Sequence, residues 1–495
     1  MTSTEIIGVV VLCVHIVIGF VAAVVISLRR KPATAIAWIL AIVFIPLLGL
    51  VAFFLVGFGR LPRARRDKQR AVNAMMLERS GVTEHLAGSG DPEWLGTAVR
   101  LNERLGALPM VGGSTAALIE DYGESFDAMI ADIDAADEFV HVEFFILVLD
   151  QTTRPLFDAL ARAAARGVQV RVLSDFVSGH MFPHRKETVE SLRAMGAQWR
   201  PMLPLRPWRG QWQRPDLRNH RKLVVVDGRV GYTGSQNLID ESYLKPKNLA
   251  RGLHWLELMV RLEGPIVGEL DAVFVTDWYS ETSELLAVRT HPAAMPGAVS
   301  FGSPAGSGAV VRGVDAQVIP SGPSFENDNN LKLFAMLIQN ARRRVSITSP
   351  YFVPDESTLL ALVTAASRGL EVELFVSEVA DQILVAHAQR SYYEALLDAG
   401  VVIWRYRAPT VLHSKHFTID DDVAVIGSSN MDIRSFSLNM EVSVLVRGQE
   451  FTSRMRLVED HYRSNSARLD PETWSRRPLG GKVLDAIARL TSALQ

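Results

Sequence analysis

Two short stretches place histidine, lysine and aspartate at a spacing suited to handling a phosphoryl group. One runs Asn219-His220-Arg221-Lys222, then four apolar residues to Asp227, and later Gly234-Ser235-Gln236-Asn237. The other runs His413-Ser414-Lys415, four residues to Asp420, and later Gly427-Ser428-Ser429-Asn430. The differences 413 minus 220, 415 minus 222, 420 minus 227, 427 minus 234, 428 minus 235 and 430 minus 237 are all 193. A single His-x-Lys-x4-Asp match would be weak evidence. Two copies in register, each with Gly-Ser-x-Asn at the same offset, are not chance.

Leu223 to Val226 reads as a strand, so His220 and Lys222 project from one side of it, as do His413 and Lys415. Asn237 and Asn430 return from the Gly-Ser turns, with Ser235 and Ser428 in support. A cation, amide donors and an imidazole on one spot suit a phosphate oxyanion, the lysines supplying the charge a Mg²⁺ would. No cofactor and no metal are expected, since the sequence has no HExxH, no Cys/His cluster and no Asp-x-Asp run of the calcium-loop kind. With two half-sites facing each other, one imidazole can attack phosphorus while the other protonates the leaving alkoxide; the roles then reverse for the acceptor. Each imidazole needs an orienting partner on its second nitrogen. The expectation is Glu441 for His413 and Glu257 for His220. Asp227 and Asp420 repeat with the catalytic set and are expected to hold the turn rather than touch substrate. His85, His180, His184, His291 and His461 read as ordinary histidines, and His416, facing away from Lys415, as structural.

The elements around these residues repeat as well. Helical periodicity over Leu118–Ala136, a strand over Phe139–Val148, a helix over Pro155–Arg166 and a strand over Val168–Leu173 give one βαβ series. Helix Leu331–Arg342, strand Val345–Thr348, helix Ser357–Arg368, strand Val372–Val376, helix Gln389–Ala399 and strand Val401–Tyr406 restate it. The class is α/β, with a largely parallel sheet covered on both faces. Expected domains are a transmembrane hairpin over 1–60, a charged connector over 61–115, and two repeats over 116–305 and 306–495. An Ala-, Gly-, Ser- and Pro-rich linker joins the repeats over 292–313. Residues 482–494 read as a surface helix without an assignable role.

Composition narrows the partners. The chain carries 52 Lys and Arg against 54 Asp and Glu, which argues against a protein built for nucleic acid. The single cysteine, Cys13, excludes a disulfide framework. Apolar runs over 6–28 and 33–59 are each long enough to span hydrocarbon, the first containing His15 as an interface imidazole. Three basic residues occupy the turn between them, against six afterwards: Arg60, Arg63, Arg65, Arg66, Lys68 and Arg70. That bias places the catalytic part in the cytoplasm. The stretch Arg206–Arg214 interleaves Arg with Trp and suits the headgroup zone, with single-strand stacking or a plain solvent loop as alternatives.

The paired motifs resemble the HKD motif of the phospholipase D superfamily, and the whole chain resembles its bacterial cardiolipin synthases. Arg30–Trp38, Pro46–Gly49, Arg218–Lys222, Ser349–Asp355, Ser391–Tyr393, Asn430–Phe436 and Asn439–Glu441 carry the resemblance. It implies two phospholipase D-like α-β-α sandwich domains forming a pseudo-twofold bilobal unit behind a two-helix hairpin in the cell membrane. It also implies condensation of two phosphatidylglycerol molecules into cardiolipin and glycerol through a phosphatidyl-histidine, with His220 as nucleophile and His413 as acid/base. The residues themselves are symmetric about that choice. A hydrolytic phosphodiesterase of the same superfamily, acting on phospholipid or nucleic acid, and a non-enzymatic scaffold are the competing readings. A nuclease would show a basic groove, and a decayed scaffold would have no reason to keep six matched positions.

Overall fold

The computed structural model describes residues 3–28, 32–57, 65–68, 71, 93–106, 108–209, 211, 213–288, 310–323, 325 and 328–490. His85, His291, the basic turn 29–31, most of the basic segment 60–70 and most of the linker 292–313 lie outside the described residues. The chain divides into two units, Met1–Leu61 with Trp212–Asp216, and Pro62–Gln211 with Leu217–Gln495.

The first unit holds α1 (Ser3–Ser27), α2 (Pro32–Phe44) and α3 (Pro46–Val56). Within α1, Ile6–Ser27 is apolar and long enough to cross a membrane. The second expected span is not one helix. Pro46 lacks the N–H that would continue α2, and Ile45 between them leaves the helical region. The bend is sharp: a Cβ on Gly49 would lie 2.4 Å from the Ala41 carbonyl oxygen, so only glycine fits. At 1.5 Å per residue, α2 and α3 reach roughly 20 and 16 Å, short of the ~30 Å a span needs. Among the described residues, α1 alone has membrane-crossing length. His15 meets the Val43 carbonyl at 3.1 Å, an imidazole between helices as expected.

The second unit is built on one fifteen-stranded sheet. Its first half contains β1 (Val111–Ile119), β2 (Phe139–Phe144), β3 (Gln169–Asp175), β4 (Gln198–Met202), β5 (Lys222–Val226), β6 (Val230–Gly234), β7 (His254–Leu256) and β8 (Met259–Glu263). Its second half contains β9 (Val311–Ser321), β10 (Arg344–Thr348), β11 (Glu371–Ser377), β12 (Val402–Tyr406), β13 (Thr410–Leu412), β14 (His416–Ile419), β15 (Val423–Gly427), β16 (Glu441–Arg447) and β17 (Ser466–Arg468). Outward from the centre the orders are β1-β8-β6-β5-β2-β3-β4 and β9-β16-β15-β14-β10-β11-β12-β17. The repeat is thus structural, and β1 pairs antiparallel with β9 to fuse the halves. The sheet is mixed rather than largely parallel: only β2-β3-β4 and β10-β11-β12 run parallel. β7 and β13 form a separate two-stranded parallel sheet.

β15 and, beyond Lys222, β5 are apolar, and both are buried throughout, as strands covered on both faces must be. The covering helices start at matched caps. Asp121 accepts from the amides of Gly123 and Glu124, and Asp355 from those of Ser357 and Thr358. Helix α4 (Glu93–Arg104) falls in the expected connector, yet Trp94, Leu95, Ala98 and Val99 pack into the core of the second half. Residues 118–119, expected to be helical, complete β1, because Leu118 and Ile119 pair with Val260 and Met259. The helix expected over Gln389–Ala399 is split into α6 (Ile383–Arg390) and Tyr393–Asp398. α5 (Ile266–Thr282), which precedes α6, is buried along most of its length and packs on the central strands.

Asp227 and Asp420 each sit at positive φ at the end of β5 or β14. The Asp227 carboxylate accepts from the amides of Asp137, Glu138 and Phe139 at 2.8–2.9 Å. That of Asp420 accepts from Arg342, Arg343 and Arg344 at 2.7–3.0 Å. These carboxylates set the entry of β2 and β10. Replacing Asp420 by Ala strands three amides, and should cost about 2–4 kcal/mol, read as a lowered thermal unfolding temperature in detergent with the fold otherwise retained.

Candidate active site

Gly234 and Gly427 end β6 and β15 where the next strand crosses closely. A Cβ on either would lie 2.3 Å from a backbone oxygen, that of Leu258 or Val442. The close approach seats the following serine. Ser235 exchanges hydrogen bonds with Leu258, its N–H donating at 3.0 Å and its Oγ accepting at 2.9 Å. Ser428 does the same with Val442 at 2.9 and 3.0 Å. The Ser428 hydroxyl also donates to Glu441 at 2.5 Å, whereas that of Ser235 donates to the Leu258 carbonyl at 3.3 Å.

The two halves then cross. The His220 amide donates to the Met440 carbonyl and the His413 amide to that of Leu256, both at 2.8 Å. β13 runs parallel to β7, and Asn219 bridges Met440 in the same sense. Each glutamate is therefore carried to the other repeat's histidine. His220 Nδ1 lies 2.9 Å from Glu441, and His413 Nδ1 lies 2.7 Å from Glu257. This exchanges the pairing expected from the sequence. Each glutamate strand packs within its own half, but the parallel ladder between halves decides which imidazole it meets, and no local pattern encodes that ladder.

The lysines reach back over their own histidines. Lys222 and Lys415 each donate to the carbonyl of the histidine two residues before, at 2.6 Å. Both are fully buried. Burial lowers Lys222 to about 7, with Glu441 opposing, and Lys415 to about 8, with Glu257 opposing. Burial also lowers His220 to about 4 against the pull of Glu441, and lowers His413 against that of Glu257. Both lysines push each histidine down, so the half-sites form one electrostatic unit. Burial raises the two glutamates, but their histidines, lysines and serines bring them below the usual range. Ionised carboxylates can only accept, so Nδ1 of each imidazole holds a proton and Nε2 is left with its lone pair.

Not every expected residue joins this centre. Asp227 and Asp420 lie five residues along the strand from their lysines, roughly 17 Å away. Asn237 is committed elsewhere, donating to the Tyr243 hydroxyl at 2.9 Å and accepting from the Ile146 amide. Asn430 is buried, and its Oδ1 has no hydrogen-bond partner among the described residues. His416 is buried beside Tyr462 and points away from the site. Sequence reasoning missed the aromatic walls. Tyr243 donates to Glu257 at 2.8 Å and stands edge-on to His413, as does Tyr351, while Phe145 stands edge-on to His220. It also missed Arg221, fully buried between Asp277 of α5 and the Glu441 carbonyl. Its place directly between His220 and Lys222 was the available signal. Among the described residues no group of three His, Cys, Asp or Glu side chains is placed to hold a metal ion.

The family model described as "Cardiolipin synthase, PLD-like domain" matches residues 129–278 and 334–458, more than half of the chain. This chain belongs to that phospholipase D-like family. A second model, described as "Phospholipase_D-nuclease N-terminal", matches residues 17–57. Cardiolipin synthase A of Yersinia pseudotuberculosis serotype O:1b and that of Yersinia pestis are each 30% identical over 470 residues, covering 94% of both chains. Among solved structures, phosphatidylserine synthase of Haemophilus influenzae Rd KW20 superposes with a TM-score of 0.58 at 13% identity, over 80% of this chain and 99% of that one. That likeness supports the phospholipase D-like α/β fold. Family membership and α1 together mark a membrane-associated protein.

Two outcomes test the geometry. Glu441→Gln should lower turnover at least about 100-fold by releasing the His220 tautomer, and should be strongly non-additive with His220→Ala while Glu257→Gln couples to His413→Ala. Because burial holds the lysines low, kcat/KM should fall as pH rises through 7 to 8 and they lose charge. Lys222→Arg, which stays charged, should move the start of that fall upward.

Proposed function

We propose that this protein is a cardiolipin synthase, transferring the phosphatidyl group of one phosphatidylglycerol to the terminal glycerol hydroxyl of another. The observation that carries the reading is the crossed pair of His–Glu dyads with two buried lysines between them. It is supported by the family and by relatives named cardiolipin synthase A.

His220, neutral at physiological pH and with Nε2 unprotonated, attacks the phosphorus of the first phosphatidylglycerol. The P–N bond forms as the P–O bond to the headgroup glycerol breaks, and His413 gives that glycerol its proton. The phosphatidyl-histidine is then attacked by the hydroxyl of a second phosphatidylglycerol, whose proton His413 takes. Cardiolipin leaves, and both imidazoles return to their starting state. Lys222 and Lys415 hold the non-bridging oxygens and stabilise the charge that builds on them. The phosphate anion in turn favours the doubly protonated His413 that the first step requires. The more open His220, flanked by one aromatic ring, takes the nucleophile's place, and His413, held between two tyrosines, that of the acid/base.

Transfer prevails over hydrolysis because the acceptor alcohol is concentrated in the same bilayer. We place α1 across that bilayer and the catalytic unit on the cytoplasmic side, the more basic flank. Purified protein in phosphatidylglycerol vesicles should release glycerol and cardiolipin in equal amounts, and both products should be lost in His220→Ala and His413→Ala. Phosphatidic acid with free glycerol would instead make the protein a hydrolase.

A further inference from the structure

The last helix among the described residues, α8 (Leu479–Arg489), follows α7 (Gln449–Ser464) and is mounted with its apolar side outward. Its anchored side is polar. Asp485 accepts from His387 at 2.8 Å and from Arg477 at 2.7 Å. Lys482 reaches Glu394, and Arg489 lies over the Tyr392 ring. Meanwhile Leu479, Val483, Leu484, Ile487 and Leu490 face out, each about half exposed or more. A helix docked for stability would turn this stripe inward. The neighbouring α6, on which α8 packs, adds Ile383 at 66% and Leu384 at 51% exposure. Single exposed apolar residues need no explanation, but a contiguous patch from two packed helices does.

The patch leads to the reacting centre. Tyr351, edge-on to His413, donates to Asp381 at 2.9 Å, and Asp381 lies just before the first turn of α6. A cleft of about 560 Å³, its open mouth included, is lined by Tyr351, Asp381, Gln382, Val385, Arg390 and Trp474. It joins the His413 side of the site to α6 and to the residues that lead into α8. On the other flank of His413, Tyr243 meets Phe182, next to Met181 at 71% exposure.

We propose that the outward stripe of α8, with Ile383 and Leu384 of α6, is a bilayer-docking surface that presses the cleft beside His413 onto the anionic lipid interface. The occupant is a phospholipid bilayer because the site's substrate is a membrane lipid, and because the chain is itself membrane-associated through its family and α1. The reading rests on a lipid substrate, but the test below reads lipid contact without catalysis.

Full-length protein with Cys13→Ser would carry one cysteine at a time, at Leu484, Ile487 or Asp421, each bearing an environment-sensitive fluorophore. Asp421 lies at the far end of β14 from the motif lysine and serves as the control. In phosphatidylglycerol-containing proteoliposomes, the 484 and 487 labels should be quenched at least about threefold more by bromine-bearing lipid than the 421 label, and shielded from aqueous iodide. Val483→Glu with Ile487→Glu should abolish that shielding of a label at 484. It should lower turnover on vesicles about tenfold or more and leave turnover on short-chain, monomeric phosphatidylglycerol unchanged. Iodide-accessible labels would overturn the proposal. So would shielding that appears in detergent and grows with protein concentration, which would mean a second copy covers the patch.

Discussion

Everything in the catalytic unit depends on two histidine–carboxylate contacts that run between the halves. Neither half contains a complete dyad: Glu441 comes from the second half to His220, and Glu257 from the first to His413. The halves must therefore be held in one register to within a hydrogen bond. The sheet does this from behind through β1 and β9, and the β7–β13 ladder does it at the site itself. Strand pairing fixes position along the chain more sharply than side-chain packing could, because a slip by one residue would turn each glutamate to the opposite face.

The site is also a concentration of charge in a dry place. Two lysines, two glutamates and two imidazoles are buried together, and burial acts against every charged form among them. The arrangement leaves the imidazoles neutral and the lysines easily discharged, which is a poor state for a resting protein and a good one for receiving an anion. A phosphate held as proposed would supply the missing negative charge. Support is not symmetric. Asn219 and Arg221 brace His220 through Glu143 and Asp277, whereas the corresponding positions 193 residues later hold Leu412 and Ser414. The repeat keeps its histidines and lysines and has let their surroundings diverge.

The membrane shapes the rest. Pro46 and Gly49 turn the second apolar run back on itself, so composition alone overstates how far it reaches. At the other end of the chain, α8 spends its polar residues on attachment and leaves its apolar ones outside, the reverse of a helix that serves a protein core. Both ends make sense for a protein whose substrate is confined to two dimensions.

The sequence by itself determined the paired histidines, lysines and aspartates, the repeat that carries them and most of the strands and helices beside them. Those follow from residue type and spacing, which are local. The role of Asp227 and Asp420 in holding a turn was legible too, since an Asp ending an apolar strand can cap the chain that returns. Tertiary structure alone decided the rest. β1 and β9 lay in segments that read as helix, connector and linker, because their pairing partners are distant in the chain. The crossed assignment of Glu441 and Glu257 was invisible for the same reason: a strand's sequence states which of its faces is buried, never which partner lies opposite. Tyr243, Tyr351 and Arg221 entered the site only when the chain brought them there. The bend at Pro46 set the reach of the second apolar run, a matter of backbone geometry that hydropathy does not register.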